Sequence, residues 1–306
     1  MNWKYIVKRI AHSIVVVLGV VTIIFVIVHL IGDPTISLLP LEATDEDRQV
    51  LLKELGLDRP LAVQYVSFIQ QVIQGRFGKS FVHERPAFKL VLEHMPATIE
   101  LTAAATLFSI LIGIPLGILC SIRPGSIIDR TAMSFSLFGQ AAPVFWVGIM
   151  AMMLFGGYWK LLPISGRGSF AQLILPAATL GLFAAAAITR LTRSSMLEVL
   201  EMEYIRTART KGLAETFVIL NHAFRNALIP VVTIVALQLG MMLSGTVITE
   251  TIFAWPGVGR LAVNAIYNRD FPVVEASVFV TSVFFVIINL FVDIIYTWID
   301  PRISYK

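Results

Sequence analysis

The sequence predicts an all-α integral membrane protein with six transmembrane helices. Of the 306 residues, 57% are hydrophobic and 14% carry a charge, whereas soluble domains carry about 25% charged residues. The apolar residues gather into six runs, each near the ~20 residues that a helix needs to cross a bilayer. The chain has too little charge to coat a globule, so a soluble globular domain is excluded.

Several prolines fall in or beside the predicted spans. The spans cover residues 10–31, 98–121, 132–156, 173–190, 228–249 and 275–298. Because proline removes a backbone donor, we expect kinks at Pro115, Pro143, Pro176 and Pro230. The first run is too long for a signal-peptide core and lacks a small-residue cleavage site, which predicts an uncleaved first helix. The single cysteine, Cys120, excludes an intrachain disulfide.

The basic residues predict the orientation of the chain. In the short connections, Lys and Arg are concentrated on the side that holds the N-terminus, and such residues favour the cytoplasmic side. We therefore expect both termini to be cytoplasmic. The net charge of +4 is explained by this bias, because the basic residues lie beside the apolar spans. Membrane lipid is therefore an expected partner, and nucleic acid is not.

The first outer connection, residues 32–97, is expected to be a helical extracytoplasmic segment. Residues 44–56 have Thr44 as a candidate N-cap and acidic residues in the first turn. Residues 59–75 form a second amphipathic pattern. The predicted organisation is a cytoplasmic tip with the first span (1–31), the outer segment (32–97), and a five-helix transmembrane core (98–306) with a cytoplasmic loop at 191–227.

Gly78, Lys79 and Ser80 look like the end of a phosphate-binding P-loop. That motif requires a glycine five residues before Gly78, but position 73 is isoleucine. The segment is also predicted to face outward, away from ATP. We therefore expect no ATPase site in this chain.

No catalytic residue and no metal site are predicted. The five histidines are scattered without an H-E-x-x-H pair, and no G-x-S-x-G nucleophile motif is present. His29, near the outer end of the first span, is either a metal ligand or an interfacial side chain, and the second interpretation is favoured. An intramembrane enzyme is therefore a disfavoured class.

Candidates for a translocation path lie within or beside the spans. They are Gln140, Phe145, Gln238, Met241, Met242 and Glu250. Ionisable residues in spans are costly in lipid and mark functional sites, and Asp293 is either half of an interhelical pair or part of the path. Gly113 and Gly117 form a G-x-x-x-G pattern that predicts close helix packing, with lining of the path as the alternative.

The outer connection 250–272 combines aromatic residues with a turn signal at Pro256-Gly257. It includes Phe253 and Trp255 and is too apolar to be fully solvated. We predict a short hairpin that dips into the outer mouth, with an interfacial aromatic loop as the alternative.

The connection 203–230 is long and basic for a membrane protein. Small residues such as Ala208 alternate with basic ones, and Gly212 permits a sharp turn. The pattern predicts two short helices around Gly212 that are presented to another protein. A loop lying on anionic headgroups would explain the charge, but not the alanine and glycine.

These residues resemble a known family. R-T-A-R-T-K-G-L (206–213) and R-N-A-L-I-P (225–230) are similar to the coupling loop of binding-protein-dependent ABC transporter permeases, in the branch that imports di- and oligopeptides, nickel chelates and glutathione. Other motifs that resemble the first-type permease subunit of this branch are G-D-P (32–34), L-G-L-D-R-P-L (55–61), G-R-F-G-K-S (75–80), P-A-T-I-E-L-T (96–102), L-T-R-S-S-M-L-E-V-L (191–200), E-T-I-F-A-W-P-G-V-G-R-L (250–261) and D-P-R (300–302).

The coupling loop departs from the wider family in one respect. The wider pattern is E-A-A-x-x-x-G, and Arg206 and Thr207 replace its Glu and first Ala, while Ala208 and Gly212 match. The replacement is similar to the variant of the peptide branch, so it narrows the subfamily.

The resemblance implies a type I ABC importer permease fold, a location in a bacterial inner membrane, and a set of partners. They are a second, homologous permease in a heterodimer, two ATPase subunits that bind ATP and Mg, and an extracytoplasmic substrate-binding protein. The chain itself would hold no cofactor, and substrate would cross by alternating access. The residues implied in docking to the ATPase are Arg206, Thr207, Ala208, Lys211, Gly212 and Leu213.

Two questions stay open at the level of the sequence. A stand-alone channel or secondary transporter is the alternative class, although only Asp293 offers an intramembrane ion or proton site. The substrate is a dipeptide, an oligopeptide, glutathione, a nickel chelate or haem, with peptides favoured.

Overall fold

The computed structural model describes residues 3–31, 44, 46, 49, 52, 53 and 58–299, and the regular elements in this part are helices. In chain order they are α1 (Trp3–Ile31), α2 (Leu61–Ile73), α3 (Ala87–Ile122), α4 (Ile127–Ala141), α5 (Val144–Ala151), α6 (Phe170–Leu200), α7 (Glu203–Thr210), α8 (Glu215–Phe217), α9 (Arg225–Ile252), α10 (Val258–Tyr267) and α11 (Phe271–Ile299). The π-helical segments Met152–Tyr158 and Val218–Phe224 follow α5 and α8. The helix predicted over 59–75 is confirmed as α2, whereas most of the one predicted over 44–56 lies outside the described residues.

Four helical stretches are long and apolar enough to cross a membrane, namely Ala87–Ile122, Phe170–Leu200, Glu215–Leu243 and Phe271–Val292. The bent pair Ile127–Ala141 and Val144–Tyr158 makes a fifth if it is counted as one span. In α1 the described apolar stretch, Ala11–Ile27, is shorter. The described residues therefore confirm a helical protein with several apolar spans, and the sixth span stays a prediction.

The predicted span 132–156 is broken at Pro143. The two helices on either side of the break differ in direction by 110°. Ala142 has an extended conformation with ψ 132°, because the ring of a following proline disfavours the helical region for the residue before it. The kink predicted at Pro143 is therefore a complete helix break. Pro176 and Pro230 instead lie inside continuous helices.

The predicted span 173–190 is shorter than the helix that contains it. α6 continues to Leu200, because residues 191–200 contain good helix formers such as Leu, Arg, Met and Glu and no Gly or Pro. The helix begins at a capping box, in which Ser169 and Gln172 each bond the other's backbone N–H.

Contacts group the chain into two compact units, residues 1–96 with 257–290, and residues 97–256 with 291–306. In the second unit, α6 packs against α4, α5 and α9. Many of the buried side chains of α6 are small, which lets neighbouring helices approach closely. They include Ala177, Gly181, Ala184, Ala185, Ala186 and Ala187.

Helices α3 and α6 approach each other closely in the second unit. A Cβ added at Gly113 would lie 2.9 Å from the Cβ of Ile188, and one added at Gly117 would lie 2.6 Å from the Cβ of Thr192. Real Cβ atoms essentially never approach this closely. The close packing predicted from the G-x-x-x-G pattern is therefore confirmed.

The first unit has its own apolar core and a fixed loop at 78–86. The core includes Val72, Phe77, Leu90, Val91, Leu261 and Val273. In the loop, Ser80 Oγ donates a hydrogen bond to Oδ2 of the buried Asp270 over 2.5 Å. The backbone N–H groups of Phe81 and Val82 donate to the same carboxylate over 3.1 and 3.4 Å. The serine of the G-K-S sequence therefore holds the loop to Asp270.

Candidate functional site

The segment 203–224 forms two short helices joined by a sharp turn, as predicted. We call Glu203–Phe217 the coupling element. Its first helix, α7, has Glu203 in the first turn and Arg209 in the last, which places each charge at the favourable end of the helix dipole. Gly212 then adopts a φ of +74°, a left-handed conformation that glycine reaches at no steric cost. The chain reverses there and enters α8 at Glu215.

The coupling element is stiffened by its own polar contacts. Arg209 Nη2 lies 2.7 Å from Oε1 of Glu215, and Arg209 Nε donates to the same carboxylate over 3.2 Å. This ion pair spans the turn at Gly212 and ties α7 to α8. The carboxylate of Glu215 raises the pKa of Arg209 above its ordinary value by accepting these hydrogen bonds. On α7 itself, Arg206 pairs with Glu203 over 2.9 Å.

Two side chains of α7 anchor the coupling element to the rest of the unit. Ile205 is fully buried and Ala208 is 7% exposed. Both belong to an apolar cluster that includes the end of α6 and the start of α9. Its buried members are Met196, Val199, Ile205, Ala208, Val218, Ile219, Ala223 and Ala227. The coupling element is therefore packed directly against the end of α6 and the start of α9.

The solvent-exposed surface of the coupling element carries both basic and apolar side chains. Tyr204, Leu213 and Phe217 are each at least 40% exposed. Arg206, Thr207, Lys211 and Gly212 are exposed beside them. Of the six residues predicted to dock, Ala208 differs, because its side chain points into the cluster. A Cβ at Gly212 would meet nothing within 4 Å, so this glycine is required by the backbone conformation and not by packing.

The path candidates on α9 do not share one face. Gln238 and Met242 are buried one turn apart, whereas Met241 is 64% exposed. Thr106 Oγ on α3 lies 3.4 Å from the sulfur of Met242. Met242 also belongs to a buried cluster with Leu101, Leu180 and Trp255, so it is part of the core of this unit.

Gln140 and Phe145 lie on opposite sides of the helix break at Pro143. Gln140 is half-buried near the end of α4, and Phe145 is exposed near the start of α5. The break is bridged by an edge contact between the rings of Phe138 and Trp146, whose centroids are 6.2 Å apart. This distance lies within the range of about 4.5–7 Å that aromatic pairs prefer. The side chains of His29 and Asp293, two further candidates, lie outside the described part of the chain.

Glu250 is a buried acidic residue near the end of α9. It is 0% exposed, and Thr98 Oγ1 on α3 donates to its Oε1 over 2.7 Å. Its backbone carbonyl accepts from the N–H of Trp255 over 2.8 Å. The indole Nε1 of Trp255 in turn donates to the carbonyl of Ala97 over 2.8 Å. The end of α9 is therefore held to the α3 residues 97–98 by polar contacts.

The connection 250–272 differs from the predicted hairpin. Residues 258–267 form the helix α10, because V-G-R-L-A-V-N-A-I-Y has an amphipathic pattern after the turn at Pro256 and Gly257. Phe253 and Trp255 are buried, so an exposed interfacial loop does not describe them either. Pro256 is half-buried and Gly257 is buried.

Sequence reasoning missed two ion pairs in the second unit. Arg193 donates to both carboxylate oxygens of the buried Asp129, over 2.5 and 2.8 Å. Arg167 pairs with Glu100 over 2.6 Å and lies over the ring of Trp255. The N-cap pattern from Ser126 to Asp129 marked a helix start, but no local signal names a partner more than sixty residues away along the chain.

Two family profiles match the chain. The profile described as "Binding-protein-dependent transport system inner membrane component" matches residues 113–305. The profile described as "Binding-prot-dependent transport system membrane comp, N-term" matches residues 2–102.

Curated relatives match over nearly their full lengths. The dipeptide transport system permease protein DppB of Escherichia coli (strain K12) is 39% identical, with 99% of each chain covered. The glutathione transport system permease protein GsiC of Salmonella typhimurium is 40% identical, with 99% of each chain covered. A dipeptide transport system permease protein DppB of Alkalihalophilus pseudofirmus is 38% identical, with 98% of this chain and 99% of the relative covered.

Solved structures share the fold. An inward-facing MetNI methionine ABC transporter matches with a TM-score of 0.59 and 19% identity, covering 69% of this chain and 96% of that one. An amino acid ABC transporter with histidines matches with a TM-score of 0.54 and 14% identity, covering 69% and 94%. The fold is thus that of ABC importer permeases. The chain belongs to the binding-protein-dependent transport system inner membrane component family and is a permease subunit of an ABC importer.

Proposed function

We propose that this permease subunit forms half of a translocation path for dipeptides, oligopeptides or peptide-like solutes. The named activities of the relatives support this substrate class, since they transport dipeptides and glutathione. Both kinds of solute carry peptide bonds and free amino and carboxylate groups. The second half of the path would come from a homologous permease in a heterodimer.

The coupling element is the observation that carries the proposal. It is a short, stiff helical pair with an exposed basic and apolar surface, anchored by Ile205 and Ala208 to two long helices. This arrangement suits a lever that another protein moves. Two ATPase subunits, with ATP and Mg bound, would close on Arg206, Thr207, Lys211, Gly212 and Leu213 and so tilt α6 and α9. Both chain termini and this element would then be cytoplasmic.

A substrate-binding protein would deliver solute from the other side of the membrane. The path inside this subunit would include Gln238, whose amide offers hydrogen bonds to a peptide group. Glu250 suits the amino group of a peptide by charge, although its carboxylate is engaged by Thr98 in this conformation. Met241, Gln140 and Phe145, which are not fully buried, would meet either solute or the second permease. Met242, which is in the core, would support them.

The proposal is tested by uptake into vesicles that contain the whole transporter. The chain is co-expressed with its partner permease and ATPases, reconstituted with the binding protein on one side, and supplied with a labelled dipeptide. We expect uptake that requires both ATP and the binding protein and that unlabelled dipeptide suppresses. Uptake by this chain alone, without ATP, would identify a channel or secondary transporter instead.

The substrate class is tested separately in the same vesicles. Labelled dipeptide, glutathione and a nickel chelate are compared at equal concentration. Uptake of the nickel chelate with none of either peptide would disprove the proposed substrate class and leave the importer mechanism intact.

A further inference from the structure

A groove in the first unit lies between the second half of α1 and the first turns of α11. It has a volume of about 180 Å³ and is bounded by one face of α1, including Ile23 and Ile27, and by one face of α11, including Val274 and Val278. Arg269 also lines the groove. Apart from this arginine, the lining side chains are hydrocarbon or aromatic.

Arg269 is held at this position by its backbone. Its φ is +54°, which is unfavourable for any residue with a Cβ. Hydrogen bonds from its N–H to the carbonyl of Ile266 and from the Asp270 N–H to the carbonyl of Ala265 fix the turn. A strained conformation maintained in this way often marks a functional position.

The positive charge of Arg269 is not neutralised by its acidic neighbour. The carboxylate of Asp270 is buried and accepts hydrogen bonds from Ser80, Phe81 and Val82. Within the described residues, Arg269 has no ion pair, and its side chain is exposed. An anion at the rim of the groove would therefore meet an available guanidinium.

We propose that this groove binds an anionic phospholipid, with an acyl chain between α1 and α11 and the headgroup phosphate on Arg269. The groove is large enough for only part of a lipid molecule, because sites for whole drug-sized molecules measure about 300–1,000 Å³. An acyl chain needs only part of its length in the groove and leaves the rest in the bilayer. Arg269 lies two residues before the apolar stretch Phe271–Val292. A residue just outside such a stretch would be at the depth of the lipid headgroups. Guanidinium binds phosphate through paired hydrogen bonds.

The test is lipid retention by the intact transporter. The complex is stripped with detergent, offered equal amounts of phosphatidylglycerol and phosphatidylcholine, and examined by native mass spectrometry. We expect one tightly retained phosphatidylglycerol. Arg269→Gln should weaken its retention about fivefold, the effect of one basic contact with an anionic membrane surface. Arg76→Gln is the matched control, because Arg76 is an exposed arginine of the same unit outside the groove.

The acyl-chain part has its own pair of variants. Ile23→Trp should fill the groove and abolish retention, whereas Val26→Trp, on another face of α1, should not. Equal retention of the two lipids by the wild-type complex would overturn the proposal. So would retention of phosphatidylglycerol at the wild-type level in all four variants. Displacement of the lipid by inorganic phosphate would show that Arg269 binds a free anion and not a lipid headgroup. Efficient crosslinking of Ile23→Cys to a partner subunit would show that protein fills the groove, which also contradicts a lipid there.

Discussion

Arg209 and Glu215 form an ion pair across the turn at Gly212, with 2.7 Å between Nη2 and Oε1. The pair closes a short loop between α7 and α8 on the exposed surface of the coupling element. Because Ile205 and Ala208 anchor α7 from the other side, the element is constrained on both faces. It is therefore suited to transmit a push without bending.

The first prediction concerns charge reversal at this pair, first at Arg209 alone and then at both residues. Arg209→Glu places two carboxylates together and should loosen the turn, so less transport should result from each ATP hydrolysed. Exposed pairs contribute only about 0.2–1 kcal/mol, and the loss should be partial, roughly two- to fivefold. Arg209→Glu combined with Glu215→Arg should recover most of the activity. The measurement is the ratio of uptake to ATP hydrolysis in vesicles, and no recovery in the double variant would contradict a role for the pair.

The second prediction concerns the backbone at Gly212. A branched residue in the left-handed region costs about 1–2 kcal/mol, and Gly212→Val should therefore distort the turn and uncouple ATP hydrolysis from uptake. Gly212→Asn should be tolerated, because asparagine reaches this conformation more easily.

Gly125 offers a matched control for Gly212. Its φ is +76°, and it likewise has nothing within 4 Å of an added Cβ, but it lies in the turn between α3 and α4. Gly125→Val should carry a similar strain and leave coupling near the wild-type ratio. If both valine variants uncouple equally, general strain is the cause and the coupling element has no special role.

The third prediction concerns the contact of α3 with α6. Gly117→Val would force its side chain against Thr192 and the carbonyl of Thr189, 2.7 Å away. Overpacking of this kind costs about 1–3 kcal/mol, and part of the obstruction here is a backbone carbonyl that cannot rotate aside.

Thermal unfolding can be followed through Cys120, which is fully buried and is the one cysteine of the sequence. A thiol-reactive dye should label it at a lower temperature in Gly117→Val than in wild type. Gly19→Val on α1, where an added Cβ meets nothing within 4 Å, should leave the labelling temperature almost unchanged. An unchanged labelling temperature in Gly117→Val would mean that α3 and α6 are further apart than described.

Much of this architecture follows from local sequence patterns. Apolar runs located the spans, and Gly212 located the turn of the coupling element, because hydrophobicity and left-handed glycine act within a few residues. The length of α6 was underestimated, since Arg190 and Arg193 ended the apolar run without ending the helix. Residues 191–200 remain helical although the apolar run has ended before them. Within this part of α6, Arg193 pairs with the buried Asp129.

Side-chain direction was harder to predict. Ala208 is packed inward although the pattern around it predicted an exposed docking residue, and Met241 and Met242 point to different surroundings. The tertiary contacts that decide these directions, such as Thr106 with Met242, join residues far apart in the sequence. The same limit hid the Asp129–Arg193 pair.

The fourth prediction tests that pair. Asp129→Ala leaves the Arg193 charge without its carboxylate, and breaking a buried pair from one side costs about 3–5 kcal/mol. Because the Arg193 side chain is 26% exposed, water can partly replace Asp129, and we expect the low end of that range. The Cys120 labelling temperature should fall markedly, and the double variant Asp129→Ala with Arg193→Leu should recover part of it. A double variant less stable than Asp129→Ala alone would mean that each residue has an independent structural role.

The fifth prediction separates the structural role of Ser80 from nucleotide binding. The Asp270 carboxylate holds the loop 78–86 through Ser80 Oγ and two backbone N–H groups. Asp270→Leu removes every acceptor and should speed hydrogen exchange at Phe81 and Val82 by about tenfold or more, as expected for donors with charge-assisted bonds worth about 1.5–3 kcal/mol. Ser80→Ala removes one of the three donors to Asp270 but leaves the acceptor of Phe81 and Val82 in place, so it should have a smaller effect on their exchange. Lys79→Ala is the control, because the exposed Lys79 side chain is adjacent in sequence and its loss should leave exchange unchanged. If Lys79→Ala instead lowered binding of a labelled nucleotide to the isolated chain, the G-K-S sequence would have a phosphate-binding role after all.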